Sequence, residues 1–251
     1  VTILNPKVLR FESLPSTNTE LARLASEGAA EGVSIVADEQ TAGRGRLQRA
    51  WSSPKGAGLY FSILLRPTTR PNYWPLITFM AALAVGDALR EACGLETDIK
   101  WPNDILSGER KICGILAEAI DTPGGRAVIL GIGINLTEGA FPPELADVAT
   151  SVSEASGRTA DREQILAALL TALSHWYSLF NDPAQIIDAW SNHSSYAIGK
   201  LVQVSNGDDV WQGITAGVEP DGALRLRTSS GEMKIVRAGD VYRIRSSTVQ
   251  L

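Results

Sequence analysis

The segment Gln40-Thr-Ala-Gly-Arg-Gly-Arg-Leu-Gln-Arg-Ala-Trp51 concentrates chemistry in a short span. Its guanidinium groups, on Arg44, Arg46 and Arg49, can grip carboxylate or phosphate oxygens with paired hydrogen bonds. Gly43 and Gly45 let the main chain approach a ligand closely or take a positive φ. Trp51 can stack on a flat ring or plug a core. A solvated basic loop, or an arginine cluster that contacts RNA, has the same composition, and the segment alone leaves these readings open. It lacks the closing Gly-Lys-Ser/Thr of a Walker phosphate loop and does not fit the GxGxxG dinucleotide pattern.

Three other segments carry polar groups at unusual places. In Lys100-Trp-Pro-Asn-Asp104 the proline ends a strand and leaves Asn103 and Asp104 on a turn. There an amide and a carboxylate can meet ribose hydroxyls or phosphate through Mg²⁺, or simply cap an Asx-type turn. Lys111-Ile-Cys-Gly-Ile-Leu-Ala-Glu118 opens an apolar strand with a lysine and breaks its side-chain row at Gly114. Glycine inside a strand marks close approach of a ligand or of backbone. The alternative for Lys111 is an ordinary solvated surface lysine. Gly131-Ile-Gly-Ile-Asn-Leu136 repeats the pattern, with Asn135 as the polar group. His175 and His193 stand far apart with no triad-like context, and we read both as structural.

The elements that must position these segments alternate between helix and strand as far as residue 195 or so. Thr17-Asn-Thr-Glu20 has capping-box spacing, and Leu21, Leu24 and Ala25 follow at helical intervals. Residues 32–37 suit a buried strand. Residues 59–65 suit a strand with one face more apolar than the other. A long helix is expected over 73–93, ending at Gly94, and a strand over 97–101. Segments 105–106 and 111–120 flank a hairpin turn. A further strand covers 127–136, Asp161 caps a helix running to Phe180, and 183–192 forms a turn-rich helix. After Gly199 five short β-rich runs (201–205, 210–218, 223–228, 233–237 and 241–245) are separated by turn residues, which suggests a small SH3-type barrel. The chain is therefore divided into 1–197 and 198–251.

The 251 residues carry 44% hydrophobic and 20% charged side chains, with a formal net charge of −5. That balance argues against a dedicated nucleic-acid binder, whose affinity rests on basic excess. The longest apolar stretch, from Leu76 to Leu89, is interrupted by Thr78, Gly86 and Asp87 and reads as a buried helix, so no membrane span is expected. The N-terminal residues lack the pattern of a signal peptide. Cys93 and Cys113 show no CxxC spacing, which excludes a disulfide framework and fits a cytoplasmic protein.

Together and in this order, Ser16-Thr17-Asn18, the Gly-Arg-Gly-Arg loop, Lys-Trp-Pro-Asn-Asp, Lys-x-x-Gly-Ile-Leu-x-Glu and Gly-Ile-Gly-Ile-Asn resemble the catalytic domain of biotin–protein ligases. The resemblance implies an α+β fold: a mixed β-sheet flanked by helices, of the class II synthetase/biotin ligase kind, followed by an SH3-like barrel. It implies formation of biotinyl-5′-AMP from biotin and ATP with Mg²⁺, then transfer to a lysine of a biotin carboxyl carrier domain of a biotin-dependent carboxylase. Ser16, Thr17 and Gln40 would meet the ureido head of biotin, with Arg44 closing the pocket. Asn18, Gly43, Gly45, Gly114, Ile115, Gly131 and Gly133 complete the biotin-binding set. Arg46 and Lys111, the catalytic cations, would face the biotin carboxylate and the α-phosphate. Trp51 would pack against adenine, Arg49, Asn103 and Asn135 would contact the nucleotide, and Asp104 would sit near ribose and metal. A monomer or homodimer, without nucleic-acid or membrane partners, is expected.

Two positions depart from the family pattern: Leu47 stands where relatives have a basic residue, and Gln48 where many have glycine. A stiffer loop and altered retention of the adenylate are expected. The ligase motifs begin at Ser16, so a monofunctional enzyme without an N-terminal DNA-binding domain is expected. The rival readings are a lipoate or octanoate protein ligase of the same fold, a non-catalytic biotin sensor, and an arginine-loop RNA binder.

Overall fold

The computed structural model describes residues 4–244. In chain order the elements are β1 (Lys7–Leu14), α1 (Thr17–Ser26), β2 (Val33–Gln40), β3 (Gly58–Leu65), α2 (Ile77–Cys93), β4 (Asp98–Lys100), β5 (Asp104–Ser107), β6 (Arg110–Thr122), β7 (Gly125–Asn135), α3 (Val152–Ser156), α4 (Arg162–Leu179) and α5 (Pro183–His193). The C-terminal strands are β8 (Ile198–Asn206), β9 (Asp209–Val218), β10 (Leu224–Thr228), β11 (Met233–Val236) and β12 (Asp240–Arg243).

Local chemistry sets most boundaries. Ser16, in extended backbone, caps α1 by accepting from the Thr19 amide, one residue earlier than the spacing from Thr17 implies. Pro75 has no amide proton to extend a helix backwards, so Pro71–Leu76 winds as a 3-10 turn and α2 begins only at Ile77. Gly94, at φ 66°, ends α2 in the left-handed conformation. Asp161 accepts from the amides of Glu163 and Gln164 at 3.0 Å each and starts α4. Strand β1 and helix α3 are additional to the elements expected from sequence, and α5 is a regular helix rather than a turn-rich one.

The first seven strands form one sheet, in the order β1-β2-β3-β7-β6-β5-β4, with β1 parallel to β2 and every other pair antiparallel. Both faces are covered along β3, all of whose residues are buried, and the expected more apolar face is the one turned to the large core. Leu59, Phe61, Ile63 and Leu65 enter the large core with α2, α4 and α5. Leu64 faces the opposite side, where α1 packs through Leu21 and Ala25 on Ile35, Ala127 and Ile129. Helices thus flank both faces of the sheet. The second face is free of helix at the end where β3, β6 and β7 carry Tyr60, Gly114 and Gly133.

The C-terminal strands form a five-stranded antiparallel sheet in the order β11-β10-β9-β8-β12, consistent with an SH3-like module. This agrees with the SH3-like module expected, with no pairing between β11 and β12 among the described residues. β11 and β12, short strands of 4 residues each, remain its two edges, and Arg245, expected to end the last strand, lies outside those residues. The two parts share one core. Val202, Val204, Leu224 and Val241 belong to the same buried cluster as Phe79 and Trp101. Trp101 Nε1 donates to Gly222 O at 2.9 Å across that seam.

Candidate active site

The site is built on missing side chains. Alternation along the strands puts Tyr60 and Ser62 of β3, Gly131, Gly133 and Asn135 of β7, and Gly114 and Leu116 of β6 on the face away from α2. Gly114 pairs with Gly133, and Leu116 with Gly131, so adjacent rows are blank. None of these glycines has a positive φ, so space rather than backbone freedom requires them. A Cβ on Gly131 would lie 2.3 Å from Asn18 Oδ1, one on Gly133 2.5 Å from Trp51 Nε1, and one on Gly114 2.8 Å from the Trp51 ring. The Trp51 indole therefore rests flat on the glycine floor. Its Nε1 is buried without a hydrogen-bond partner.

A cavity of about 580 Å³ opens over this floor. Its inner end is polar. Thr17 N donates to Gln40 Oε1 at 2.8 Å and Thr17 Oγ1 lies 3.0 Å from the same oxygen, and Gln40 Nε2 donates to Ser53 Oγ at 2.8 Å. Ser62 Oγ lies 2.7 Å from Thr17 Oγ1 and 2.6 Å from Asn18 Oδ1. Ser16, Thr17 and Asn18 are all buried at the N-terminus of α1, where the positive end of the helix dipole favours an acceptor on the ligand. Arg44 reaches Glu118 at 3.1 Å and bounds this end.

The outer end is cationic. A bulge in β6, where the register shifts between Ile105 and Leu106 of β5, lets Ile112 and Cys113 both enter the core while Lys111 stays on the cavity wall. Lys111 Nζ pairs with Asp104 Oδ1 at 2.5 Å and stands 5.3 Å from the Trp51 ring centroid. Lys100 holds the other Asp104 oxygen at 3.5 Å. Asn103 is locked at both ends of its amide: Nδ2 donates to Ile115 O at 2.6 Å, and Oδ1 accepts from Arg46 Nη1 at 3.1 Å. Burial lowers the Arg46 pKa, yet the guanidinium stays charged at neutral pH.

Arg46 and Lys111 thus line the same cavity, close to the one carboxylate of Asp104. Every expected site residue lines it except Gly43, which is buried just behind and shapes the loop base. Gly43 O accepts from Trp51 N at 2.9 Å, and a Cβ there would lie 2.4 Å from Trp51 O. Asn135 donates through Nδ2 to Thr150 O at 3.0 Å, so its amide also pins a neighbouring segment. Both Asp104 oxygens are paired with lysines. Among the described residues no group of three or more His, Cys, Asp and Glu could hold a metal.

Three contributors lie outside the sequence expectation. Ser62 is one; its hydroxyl inside an otherwise apolar strand was the available signal. Residues 137–150 are another, joined to Lys111 by paired backbone bonds (Lys111 N to Val148 O, 2.8 Å; Thr150 N to Lys111 O, 2.9 Å). The third is the C-terminal sheet. Both terminal nitrogens of Arg46 donate to Gly239 O at 3.3 Å, and Arg49 pairs with Asp240. No local pattern links residues so distant in the chain.

Residues 10–135 match the biotin/lipoate A/B protein ligase family, and residues 197–243 match the biotin protein ligase C-terminal domain. The chain belongs to the biotin protein ligase branch of this family. It is 36% identical to the bifunctional ligase/repressor BirA of Bacillus subtilis over 94% of this chain and 74% of that protein. It is also 36% identical to the biotin–[acetyl-CoA-carboxylase] ligase of Paracoccus denitrificans, over 90% of this chain and 96% of that one. Among solved structures, the biotin protein ligase of Aquifex aeolicus in complex with biotin and ATP superimposes with a TM-score of 0.81 at 31% identity, covering 95% of this chain and 99% of the other. Among the described residues no helix is long and apolar enough to cross a membrane.

Proposed function

We infer that the protein is an ATP-dependent biotin–protein ligase, which joins biotin to a lysine through a biotinyl-5′-AMP intermediate. The observation that carries this reading is the two-ended cavity: a neutral, hydrogen-bonding end at Ser16, Thr17 and Gln40, and a cationic end at Arg46 and Lys111. A small acid with a polar head fits this polarity, its head inward and its carboxylate at the cations. Lipoate has no polar head to exchange hydrogen bonds with the inner groups, so that end of the cavity would contribute no recognition. A pure sensor has no need of the cationic set.

We assign the residues as follows. Ser16, Thr17, Gln40 and Arg44 take the ureido group, and Asn18, Gly45, Gly114, Ile115, Gly131 and Gly133 shape its slot. Gly43 fixes the loop. Trp51, Arg49, Asn103 and Asn135 bound the nucleotide. One biotin carboxylate oxygen attacks the α-phosphorus of ATP, and the bond to pyrophosphate breaks. Lys111 supplies a point charge and Arg46 a planar fork to offset repulsion between the two anions. Lys111 must leave Asp104 for this, and Lys100 remains to hold that carboxylate. Magnesium supplies charge neutralisation on the leaving pyrophosphate and is carried by the nucleotide rather than by a cage of protein carboxylates. The acceptor amine, once deprotonated, then attacks the acyl carbon, AMP departs, and an amide forms. Water kept out by the arginine loop would otherwise hydrolyse the mixed anhydride.

The acceptor is proposed to be a biotin carboxyl carrier domain, and the reaction to be cytoplasmic, where ATP is available. Residues 1–197 are proposed as the catalytic unit and 198–251 as the module that anchors its loop. ATP-dependent transfer of biotin to a carrier domain tests the reading. The native protein should label the carrier, and Lys111→Ala should lower the rate by about a hundredfold or more. Pyrophosphate exchange that depends on lipoate and not biotin would overturn it.

A further inference from the structure

Behind the polar end of the cavity the side chains form one continuous hydrogen-bonded chain. Ser53 Oγ donates to Trp51 O, Gln40 bridges Ser53 and Thr17, Ser62 bridges Thr17 and Asn18, and Asn18 Nδ2 donates to Glu118 Oε2 at 2.7 Å. The same Glu118 oxygen accepts from Arg44 Nη2 at 3.1 Å. Glu118 does not line the cavity, whereas Asn18 and Arg44 do. It stands on the cavity-facing row of β6, beyond Gly114 and Leu116.

Amides and hydroxyls can run such a chain in either direction. Only groups with a single hydrogen-bonding sense decide which. At one end the Thr17 backbone amide can only donate, so Gln40 presents its oxygen to it. At the other end an ionised Glu118 can only accept. That turns the Asn18 NH₂ outward and its Oδ1 toward Ser62. The single Ser62 proton is then committed to Asn18, so the Ser62 oxygen can only accept the one Thr17 hydroxyl proton, and Gln40 Oε1 is left to the Thr17 backbone amide alone. The close packing of Asn18 Oδ1 over Gly131 leaves that amide no third orientation.

We propose that Glu118 is a positioning residue that sets the donor–acceptor polarity of the head-group pocket and holds Arg44 at its rim. The proposal rests on the biotin reading above. A cyclic urea offers one carbonyl acceptor flanked by two N–H donors, so a pocket with reversed hydroxyls would oppose it group by group. Glu118→Gln keeps the size but brings a donor of its own, which allows Asn18 to turn over, and removes the charge facing Arg44. Glu118→Asp keeps an acceptor-only carboxylate on a shorter stem.

The test is biotin-dependent pyrophosphate exchange by the full chain, with KM measured separately for biotin and ATP, beside thermal melting. Glu118→Gln should raise the biotin KM by about tenfold or more, with the ATP KM within about twofold and the Tm within about 2 °C of native. Glu118→Asp should recover much of the loss. An unchanged biotin KM in Glu118→Gln, or an equal rise in both KM values, would overturn the proposal while leaving the ligase reading intact. Failure of the native protein to use biotin at all would overturn both.

Discussion

At Gly133 a single methyl group tests the site. Its backbone is ordinary, so alanine meets no conformational penalty, but the new Cβ would lie 2.5 Å from Trp51 Nε1. Relief requires the indole to lift by about 1 Å, a displacement that can cost about a hundredfold in rate. We expect Gly133→Ala to fold normally, by melting temperature, and to lose biotin-dependent exchange by roughly that factor. Activity within a few-fold of native would show that Trp51 does not set the slot. The two cations, the glycines and the Ser16-Thr17-Asn18 run that line the cavity were singled out in the sequence by the loop's composition, by glycines inside apolar strands and by the resemblance to biotin–protein ligases. What Asp104 does was not. Its double pairing with Lys100 and Lys111 depends on a hairpin register and a bulge, which residue types do not reveal.

At the scale of elements, the arginine loop carries its own strain. Leu47 and Gln48 sit at φ 53° and 59°, in the left-handed region that costs a side-chain-bearing residue about 1–2 kcal/mol. Gln48→Gly relieves one of the two and should favour the conformation in which Arg46 reaches Asn103 and Gly239. We therefore predict slower escape of the adenylate, read as less nonspecific lysine labelling of bystander proteins; equal labelling by variant and native would count against this account. The expected departure at position 48 thus has a backbone cause. Elsewhere α1, α2, α4, α5 and the apolar strands were readable from local signals, whereas the short capped helix α3 was not. Strand β1 was missed because Lys7–Leu14 is mostly half-exposed and its parallel pairing with β2 is made across the intervening α1.

The whole molecule is expected to unfold as one cooperative unit, since Trp101 is buried in a core that both sheets share and donates to Gly222 across the seam. Trp101→Phe leaves that carbonyl without its donor and should cost about 2 kcal/mol, or about 4–8 °C in Tm. Calorimetry should show a single transition in native and variant alike. Two separate transitions would mean that the parts are energetically independent. The division of the chain near residue 198 could be seen in its change of texture, but the dependence of one part on the other could not, because it runs through Gly239 and Asp240, far along the chain from Arg46 and Arg49. This mooring has a bearing on biosynthesis. A nascent polypeptide that already owns Arg46 and Lys111 still lacks the Gly239 and Asp240 moorings of its arginine loop, and only translation as far as β12 supplies them.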